Sequence, residues 1–180
     1  MAPMPTRNIS IRPEAPGDED AIDTVVRDAF MQQFGSDSEV GLVRTLRSRG
    51  ELVGDLTLVA EVDDTIVGFI AFSEVTLDGV CAGGLGLAPV AVAPAFQSDG
   101  IGGALITASL ERAAAAGGWS FVVLLGHDHY YPRFGFVPAA PLGLIGDYGA
   151  GASWMARPLN GLPLPAGHVR YSSAFTDPSA

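Results

Sequence analysis

The chain has 180 residues, 48% of them hydrophobic, which is enough for one domain with a real core and too little for two ordinary ones. It carries 20 acidic and 10 basic residues, all of the latter arginine, for a net charge of −10. Nucleic-acid binding depends on clustered basic side chains, so this balance argues against a nucleic-acid partner, whereas an acidic surface suits cationic substrates such as amines or serves solubility alone.

The N-terminal residues set expectations for the location of the protein. Residues 1–7 are predicted to be a disordered start, and residues 1–11 lack the basic region and apolar run of a signal peptide. No apolar stretch reaches about 18 residues without a glycine or a charge, so no membrane-spanning segment is predicted. We therefore expect a cytoplasmic protein without a membrane partner.

A first strand and two helices are predicted next. Residues 8–12 alternate in polarity and stop at Pro13, and Asp18 suits the N-cap of a helix that follows. The run Ser-Asp-Ser-Glu at residues 36–39 fits a capping box before a second, short helix. Apolar residues at helical spacing support both helices: Ala21, Ile22, Val25, Val26, Ala29 and Phe30, then Val40, Val43 and Leu46.

The pattern then changes to that of strands. Residues 56–62 alternate, Asp63 and Asp64 form a tight turn, and residues 66–75 supply the partner strand of a hairpin. Residues 85–92 form a further apolar strand. The single cysteine of the chain, Cys81, excludes an internal disulfide and is expected to be a small buried apolar residue.

The second half of the chain is predicted to alternate between helix and strand. Residues 102–116 read as a helix that two glycines end, and residues 121–125 as a strand buried in a sheet. Residues 129–134 suit one helical turn, while residues 153–158 and 168–175 suit late strands. The order of elements predicts a mixed α/β domain.

A glycine-rich loop, residues 92–103, lies between the strand and the helix and carries the main chemical signal. The first turn of a helix has unpaired N–H groups and a partial positive charge, and both bind phosphate when the backbone can approach closely. Gly100, Gly102 and Gly103 allow that approach. A turn of this kind also occurs for packing alone.

Two nucleotide-binding signatures do not fit this loop. The glycines are not followed by Lys-Ser or Lys-Thr, as they would be in the phosphate loop of nucleoside triphosphatases. Their order, Gly-x-Gly-Gly, also differs from the Gly-x-Gly-x-x-Gly of dinucleotide folds.

The run Gln-Ser-Asp-Gly-Ile-Gly at residues 97–102 resembles the Gln/Arg-x-x-Gly-x-Gly/Ala motif of the GNAT superfamily, the acyl-CoA-dependent N-acyltransferases. Residues 90–94 before it resemble the end of that family's fourth strand, and residues 126–136 resemble the segment after its fifth. The likeness extends over about residues 8–160 and looks closest to YhbS-like bacterial members. It implies one domain over residues 8–160, with residues 161–180 as a C-terminal extension that adds at most a strand.

The resemblance implies a mostly antiparallel central sheet that splays between strands four and five and is flanked by helices. It also implies acetyl-CoA as co-substrate in that gap, with the strand-four backbone along its pantetheine arm and the loop amides around its pyrophosphate. The residues expected to bind it are Val90, Ala91, Val92, Gln97, Ser98, Asp99, Gly100, Ile101, Gly102, Gly103 and Ala104.

For the transfer of acetyl to an amine, the resemblance places Tyr131 close to the CoA sulfur as general acid, with Tyr130 as the alternative because the two are adjacent. Both tyrosines also suit aromatic packing. Residues 85–92 contain no carboxylate, so the base is open: His127 suits it, since an ordinary imidazole has a pKa near 6.5, and Glu74 is a second candidate. No His, Cys or Asp cluster has metal-ligand spacing, so no metal is predicted.

The expected partner is a small or peptidic amine, bound near the helix pair. Phe30, Phe34 and Trp154 are candidates for that pocket, although each also suits a buried core. A homodimer is possible from the resemblance alone. The alternative functions are a GNAT-fold module that binds acyl-CoA without turnover and a nucleotide-binding protein.

Overall fold

The computed structural model describes residues 8–149 and 151–176, and the predicted disorder of residues 1–7 lies outside them. Across the described chain, nine strands join in one sheet in the order β1-β2-β3-β4-β5-β8-β6, and β9 pairs with both β3 and β7. The strands are β1 (Ile9–Pro13), β2 (Leu58–Val62), β3 (Thr65–Leu77), β4 (Val80–Val92), β5 (Phe121–Leu125), β6 (Val137–Pro138), β7 (Leu144–Gly146), β8 (Trp154–Pro158) and β9 (Gly167–Arg170), and the helices are α1 (Glu19–Phe34), α2 (Ser38–Ser48) and α3 (Ile101–Ala116).

Two tight turns create the central antiparallel strands. Asp63 and Asp64 both have positive φ, 48° and 62°, which suits the twist of a two-residue hairpin and confirms the predicted turn. Asp78 and Gly79 form a second turn of the same kind, with φ of 49° and 81°. The sequence analysis did not identify this Asp-Gly turn. The predicted strand therefore starts at residue 85, whereas β4 begins five residues earlier, at Val80.

The helices cover both faces of the sheet because neighbouring strand residues point to opposite sides. Phe69 and Ala71 of β3 pack with α1 and α2, whereas Ile70 and Phe72 pack with α3. An ion pair joins the two helices of the first face, since the exposed Arg44 of α2 contacts the buried Asp23 carboxylate of α1 at 2.6 Å.

The two predicted N-caps do not act as predicted. Asp18 precedes α1, but its carboxylate binds Arg12 at 2.7 Å and the Ala15 amide rather than a helix amide. The hydrogen bond from Arg12 lowers the pKa of Asp18 below its usual value. The capping box is wrong: α2 begins at Ser38, and Ser36 Oγ instead accepts the Ser38 amide, two residues on.

The sheet splits between β4 and β5, as expected. These parallel strands pair only from Gly84 to Gly86 of β4, opposite Phe121 to Val123 of β5. Farther along, β4 bulges, because Ala88 and Pro89 both lie opposite one residue of β3. The mixed, mostly antiparallel sheet is thereby confirmed, with an open edge of β4 facing the gap.

The tail after β8 returns to the sheet. β9 pairs antiparallel with the end of β3 and parallel with β7. The predicted strand over residues 168–175 is therefore only partly right, because β9 ends at Arg170 and a 3-10 turn follows at Ser173–Phe175. This return brings Tyr171 across the β4–β5 split, where its hydroxyl donates to the Val123 carbonyl at 3.1 Å.

Candidate functional site

The glycine loop forms one wall of a pocket of about 500 Å³ at the start of α3, here called the α3 pocket. Residues 92 and 96–103, apart from Asp99, line one side, and the segment after β5 supplies the other. The N–H groups of the first helical turn point out of the helix start, because a helix gives them no internal partner. The pocket is thus suited to an anion.

Glycine stands at positions 100 and 102 of this loop for two different physical reasons. Gly100 has φ of 81°, a conformation that L side chains rarely adopt. Gly102 lies within α3 at ordinary helical φ, and a Cβ built there would meet Tyr130 Oη and Val92 Cγ2 at 3.6 Å, an ordinary contact. Neither packing nor backbone conformation therefore requires glycine at 102, and the missing side chain leaves room for a ligand to approach the helix amides closely.

Other predicted loop residues are placed differently. The Gln97 side chain donates to the Val92 carbonyl at 3.0 Å and so holds the loop against the end of β4. The Ala104 amide donates to the Gly100 carbonyl at 3.0 Å, so it is engaged inside the helix and is not directed at the pocket. Asp99 and Ala104 do not line the α3 pocket, and Ala91 is buried in the core under α1.

The prediction omitted Arg133, which contributes a positive charge to the α3 pocket. Its guanidinium lies 4.5 Å from the centre of the Tyr130 ring, and its Nε donates to the Tyr130 carbonyl at 2.9 Å. Among the described residues lining this pocket it is the one with a cationic side chain. The sequence offered one signal for this residue: basic side chains are rare in the chain, and Arg133 lies in the segment after β5 that was expected to border the cofactor.

A second cavity, of about 370 Å³, opens where β4 and β5 separate, and we call it the β4–β5 cleft. The bulged part of β4, residues 87–90, forms one wall, and Leu125, Gly126 and His127 after β5 form the opposite wall. The outer end of α1, the first residues of α2 and the C-terminal tail complete it.

The two adjacent tyrosines serve different cavities. Tyr131 lines the β4–β5 cleft, while Tyr130 lines the α3 pocket. Their rings are perpendicular, with centroids 5.2 Å apart and an interplanar angle of 87°. Both backbone amides donate to the His127 carbonyl, at 3.1 and 3.3 Å, so one short turn orients both rings.

Burial keeps the hydroxyl group of Tyr131 protonated. It raises the pKa of the phenol to about 12, with a smaller contribution from Tyr130. The Tyr131 ring packs edge-on against the Phe136 ring, with centroids 5.8 Å apart. It also lies so close to Gly126 that a Cβ atom at that position would overlap it. The hydroxyl therefore stays protonated throughout the physiological range and has a fixed position.

The two residues predicted as candidates for the general base lie in different cavities of the structure. His127 is exposed and lines the β4–β5 cleft together with Tyr131. Glu74 is also exposed but lies in another depression, with Glu51 and Ser172. Glu74 is not among the residues that line the cleft, so the structure does not support it as the base.

Three further side chains are placed by the structure: Phe34 lies in the cleft, which is one of its two interpretations, while Trp154 as a cleft residue and Cys81 as a buried residue are corrected. Phe34, 62% exposed, lines the cleft with Phe30, so it is not core. Trp154 is buried, donates from Nε1 to the Leu144 carbonyl at 3.0 Å and lies outside the cleft lining. Cys81 is exposed rather than buried, and a hydrogen bond with Glu74 raises the pKa of its thiol.

The described part of the chain has neither a grouped set of metal ligands nor a membrane-spanning helix. Within residues 8–149 and 151–176, no three His, Cys, Asp or Glu side chains are grouped so that they could hold a metal ion. No helix in the same ranges has the length and apolar character needed to cross a membrane.

Comparison with known proteins identifies relatives over most of the chain. Residues 54–138 match the family model described as an acetyltransferase (GNAT) domain. The chain is 35% identical over 158 residues to the uncharacterised N-acetyltransferase YjhQ of Escherichia coli K12, covering 81% of this chain and 84% of that protein. It is 37% identical over 131 residues to the uncharacterised N-acetyltransferase YhbS of the same strain, covering 72% and 74%.

Solved structures extend this similarity to the fold. The crystal structure of E. coli YhbS in complex with CoA superposes with a TM-score of 0.84 at 31% identity, covering 98% of this chain and 97% of that one. A GNAT family acetyltransferase from Brucella melitensis in complex with acetyl-CoA gives a TM-score of 0.80 at 37% identity, covering 94% and 99%.

Proposed function

The chain belongs to the GNAT family of N-acetyltransferases, and from this premise we propose that it moves the acetyl group of acetyl-CoA to a primary amine by direct attack in a ternary complex. The observation that carries the proposal is the pairing of an anion-binding helix start with a cleft that presents a protonated tyrosine. Two relatives whose structures hold CoA and acetyl-CoA support the choice of co-substrate.

The residues of the α3 pocket fit the pyrophosphate of acetyl-CoA. The amides of Ile101, Gly102 and Gly103 have no intrahelical acceptors and face a space that a side chain at 102 would occupy. Arg133 supplies a fixed positive charge, and an arginine is well suited to phosphate oxygens. The open edge of β4 at residues 87–92 is available to pair with the pantetheine arm.

The β4–β5 cleft supplies the groups for the transfer. The amine nitrogen attacks the thioester carbonyl carbon, the C–N bond forms, and the C–S bond breaks with its electron pair on sulfur. Tyr131 gives its hydroxyl proton to that sulfur, and the resulting phenolate takes up the proton that the nitrogen loses as it becomes an amide, because the pKa of this phenol is about 12. His127, on the same wall, accepts the proton that the attacking ammonium must lose.

Release of free thiol from acetyl-CoA, measured with a panel of amines, tests the proposal. For the amine that reacts best, Tyr131→Phe is expected to lower kcat by about 100- to 1000-fold, the usual contribution of general acid–base catalysis, with unchanged affinity for acetyl-CoA. Tyr130→Phe is the matched control and should keep kcat within about threefold, because its ring lines the other pocket. The reverse result would transfer the acid role to Tyr130.

Ligand specificity is tested separately by thermal unfolding. Acetyl-CoA at about 100 times its dissociation constant should add roughly 2.7 kcal/mol of apparent stability. Protection by ATP or NAD and none by CoA would contradict the proposal. Binding of acetyl-CoA without thiol release across the amine panel, unchanged by Tyr131→Phe, would indicate a non-catalytic acyl-CoA-binding module.

A further inference from the structure

The β4–β5 cleft, in which the amine acceptor of the proposed reaction would bind, is lined with aromatic rings from distant parts of the chain. Phe30 and Phe34 lie one turn apart on α1, with ring centroids 5.6 Å apart. In the C-terminal part of the chain, the ring of Tyr171 packs against the rings of Tyr148 and Phe175, with centroid distances of 5.9 Å and 4.7 Å. All five rings line the same cleft, so an occupant has rings of both groups within its surroundings.

Much of this aromatic surface is open to water. Phe34 is 62% exposed and Tyr148 is 44% exposed. The hydroxyl of Tyr171 is already donated to the Val123 carbonyl, so that residue presents mainly its ring to the cleft. Apolar surface gathered in a concave site is typical of a ligand-binding surface rather than of solvent-facing structure.

The charge in the cleft restricts the ligand further. With His127 neutral, Glu39 is the one formally charged side chain among the described residues that line it, and no arginine is among them. A ligand carboxylate would therefore have no cationic partner and would lose its hydration at a cost. An ammonium group would find both a carboxylate and aromatic faces, which attract cations.

We propose that the acceptor is a monoamine on a flat apolar body without a carboxylate, that is, an arylalkylamine. This inference rests on the proposed transfer of acetyl to an amine and names the class of that amine. The aromatic groups hold the apolar body, and Glu39 attracts the ammonium form before it loses its proton to His127.

Matched amines test the proposal with the intact protein and acetyl-CoA. Phenethylamine and phenylalanine share one body and differ by a carboxylate, and glucosamine and spermidine represent hydroxyl-rich and multiply charged acceptors. Phenethylamine is expected to react with a kcat/KM at least about 100-fold above that of each of the other three, since the cleft leaves their extra polar groups unpaired. Equal or better turnover of any of the three would overturn the assignment.

Variants of the lining separate recognition from folding. Phe34→Ala should raise the KM for phenethylamine by about tenfold, and Glu39→Gln by about fivefold, with the KM for acetyl-CoA unchanged. Met31→Ala, on the same helix, exposed and outside the cleft, is the control and should leave both KM values unchanged. A tenfold effect of Met31→Ala, or none of Phe34→Ala, would contradict the aromatic site.

Failure of this inference can be told apart from failure of the proposed function. If acetyl-CoA binds and spermidine or glucosamine reacts while phenethylamine does not, the transfer stands and the acceptor class is wrong. If nothing reacts, calorimetric titration of phenethylamine into the complex with CoA decides. Millimolar or tighter binding that Phe34→Ala weakens supports the site, and no binding overturns it. Loss of acetyl-CoA binding itself would reject the proposed function.

Discussion

Replacing Gly102 by aspartate tests the anion site without disturbing the fold. The new Cβ would contact Tyr130 Oη and Val92 Cγ2 at 3.6 Å, so the side chain fits at the edge of the α3 pocket without a clash. A carboxylate in the first turn also interacts favourably with the helix dipole, typically by about 0.3–1 kcal/mol. The free energy of unfolding should therefore stay the same or rise slightly.

Binding of CoA should respond in the opposite way. The aspartate would place a negative charge beside a pyrophosphate, and two unit charges about 4 Å apart repel by about 4 kcal/mol at the effective dielectric of a protein surface. Since 1.4 kcal/mol is a factor of ten, the dissociation constant should rise by roughly 500- to 1000-fold. Isothermal titration with CoA measures this rise, and thermal unfolding checks the fold.

The control for this variant is Thr107→Asp, which adds the same charge to an exposed position of α3 outside the pocket. We expect it to change the dissociation constant by no more than about threefold, because residue 107 is exposed and outside the pocket, where water and salt screen the added charge. A folded Gly102→Asp protein that bound CoA with the affinity of the parent would refute the assignment of the loop.

Three further predictions concern neighbouring residues. Arg133→Gln should weaken acetyl-CoA binding by about tenfold and reduce the dependence of the dissociation constant on salt; an unchanged salt dependence would contradict a phosphate contact. Gly126→Ala should lower kcat by about tenfold or more with unchanged CoA affinity, because the new methyl group overlaps the Tyr131 ring, and steady-state kinetics would show otherwise if the ring position were unimportant. Burial raises the pKa of Tyr131 to about 12, from about 10 in the unfolded chain, so the unfolded chain ionises first and the free energy of unfolding should fall by up to about 2–3 kcal/mol as the pH rises from 10 through 12. Urea unfolding at pH 9 and pH 11.5 should thus show a smaller alkaline loss for Tyr131→Phe, and an equal loss would contradict a buried neutral phenol.

Features that depend on local backbone chemistry were predictable from the sequence. The turn at Asp63 and Asp64 and the helix after Gly100 follow from residues adjacent in the chain, and both are confirmed. The capping box failed although it is also local, because helix α2 starts at Ser38 and Ser36 binds the amide two residues on instead. Competing short-range hydrogen bonds of serine are of similar strength, so the motif alone cannot choose between them.

Features made by distant residues were not predictable in this way. Trp154 and Phe34 carry equally apolar side chains, yet one is buried in the sheet and the other lines a cleft. Tyr171 reaches the cleft only because β9 returns to pair with β3, a register that local patterns do not specify. The glycine loop at the start of α3 could therefore be predicted at residue level, while the aromatic lining of the β4–β5 cleft could not.

The segment from His127 to Arg133 connects the two cavities. One carbonyl, that of His127, accepts the amides of both tyrosines, and one cation, Arg133, is bonded to the Tyr130 carbonyl and stacked on its ring. Any ligand anion that draws on Arg133 therefore acts on the turn that also orients Tyr131. The two rings contact each other, with centroids 5.2 Å apart, so we expect a ligand in the α3 pocket to restrain Tyr131 through Tyr130. The two adjacent tyrosines, ambiguous in the sequence, thus face different cavities, and if Tyr131 is the general acid as proposed, Tyr130 is the residue that would couple it to the α3 pocket.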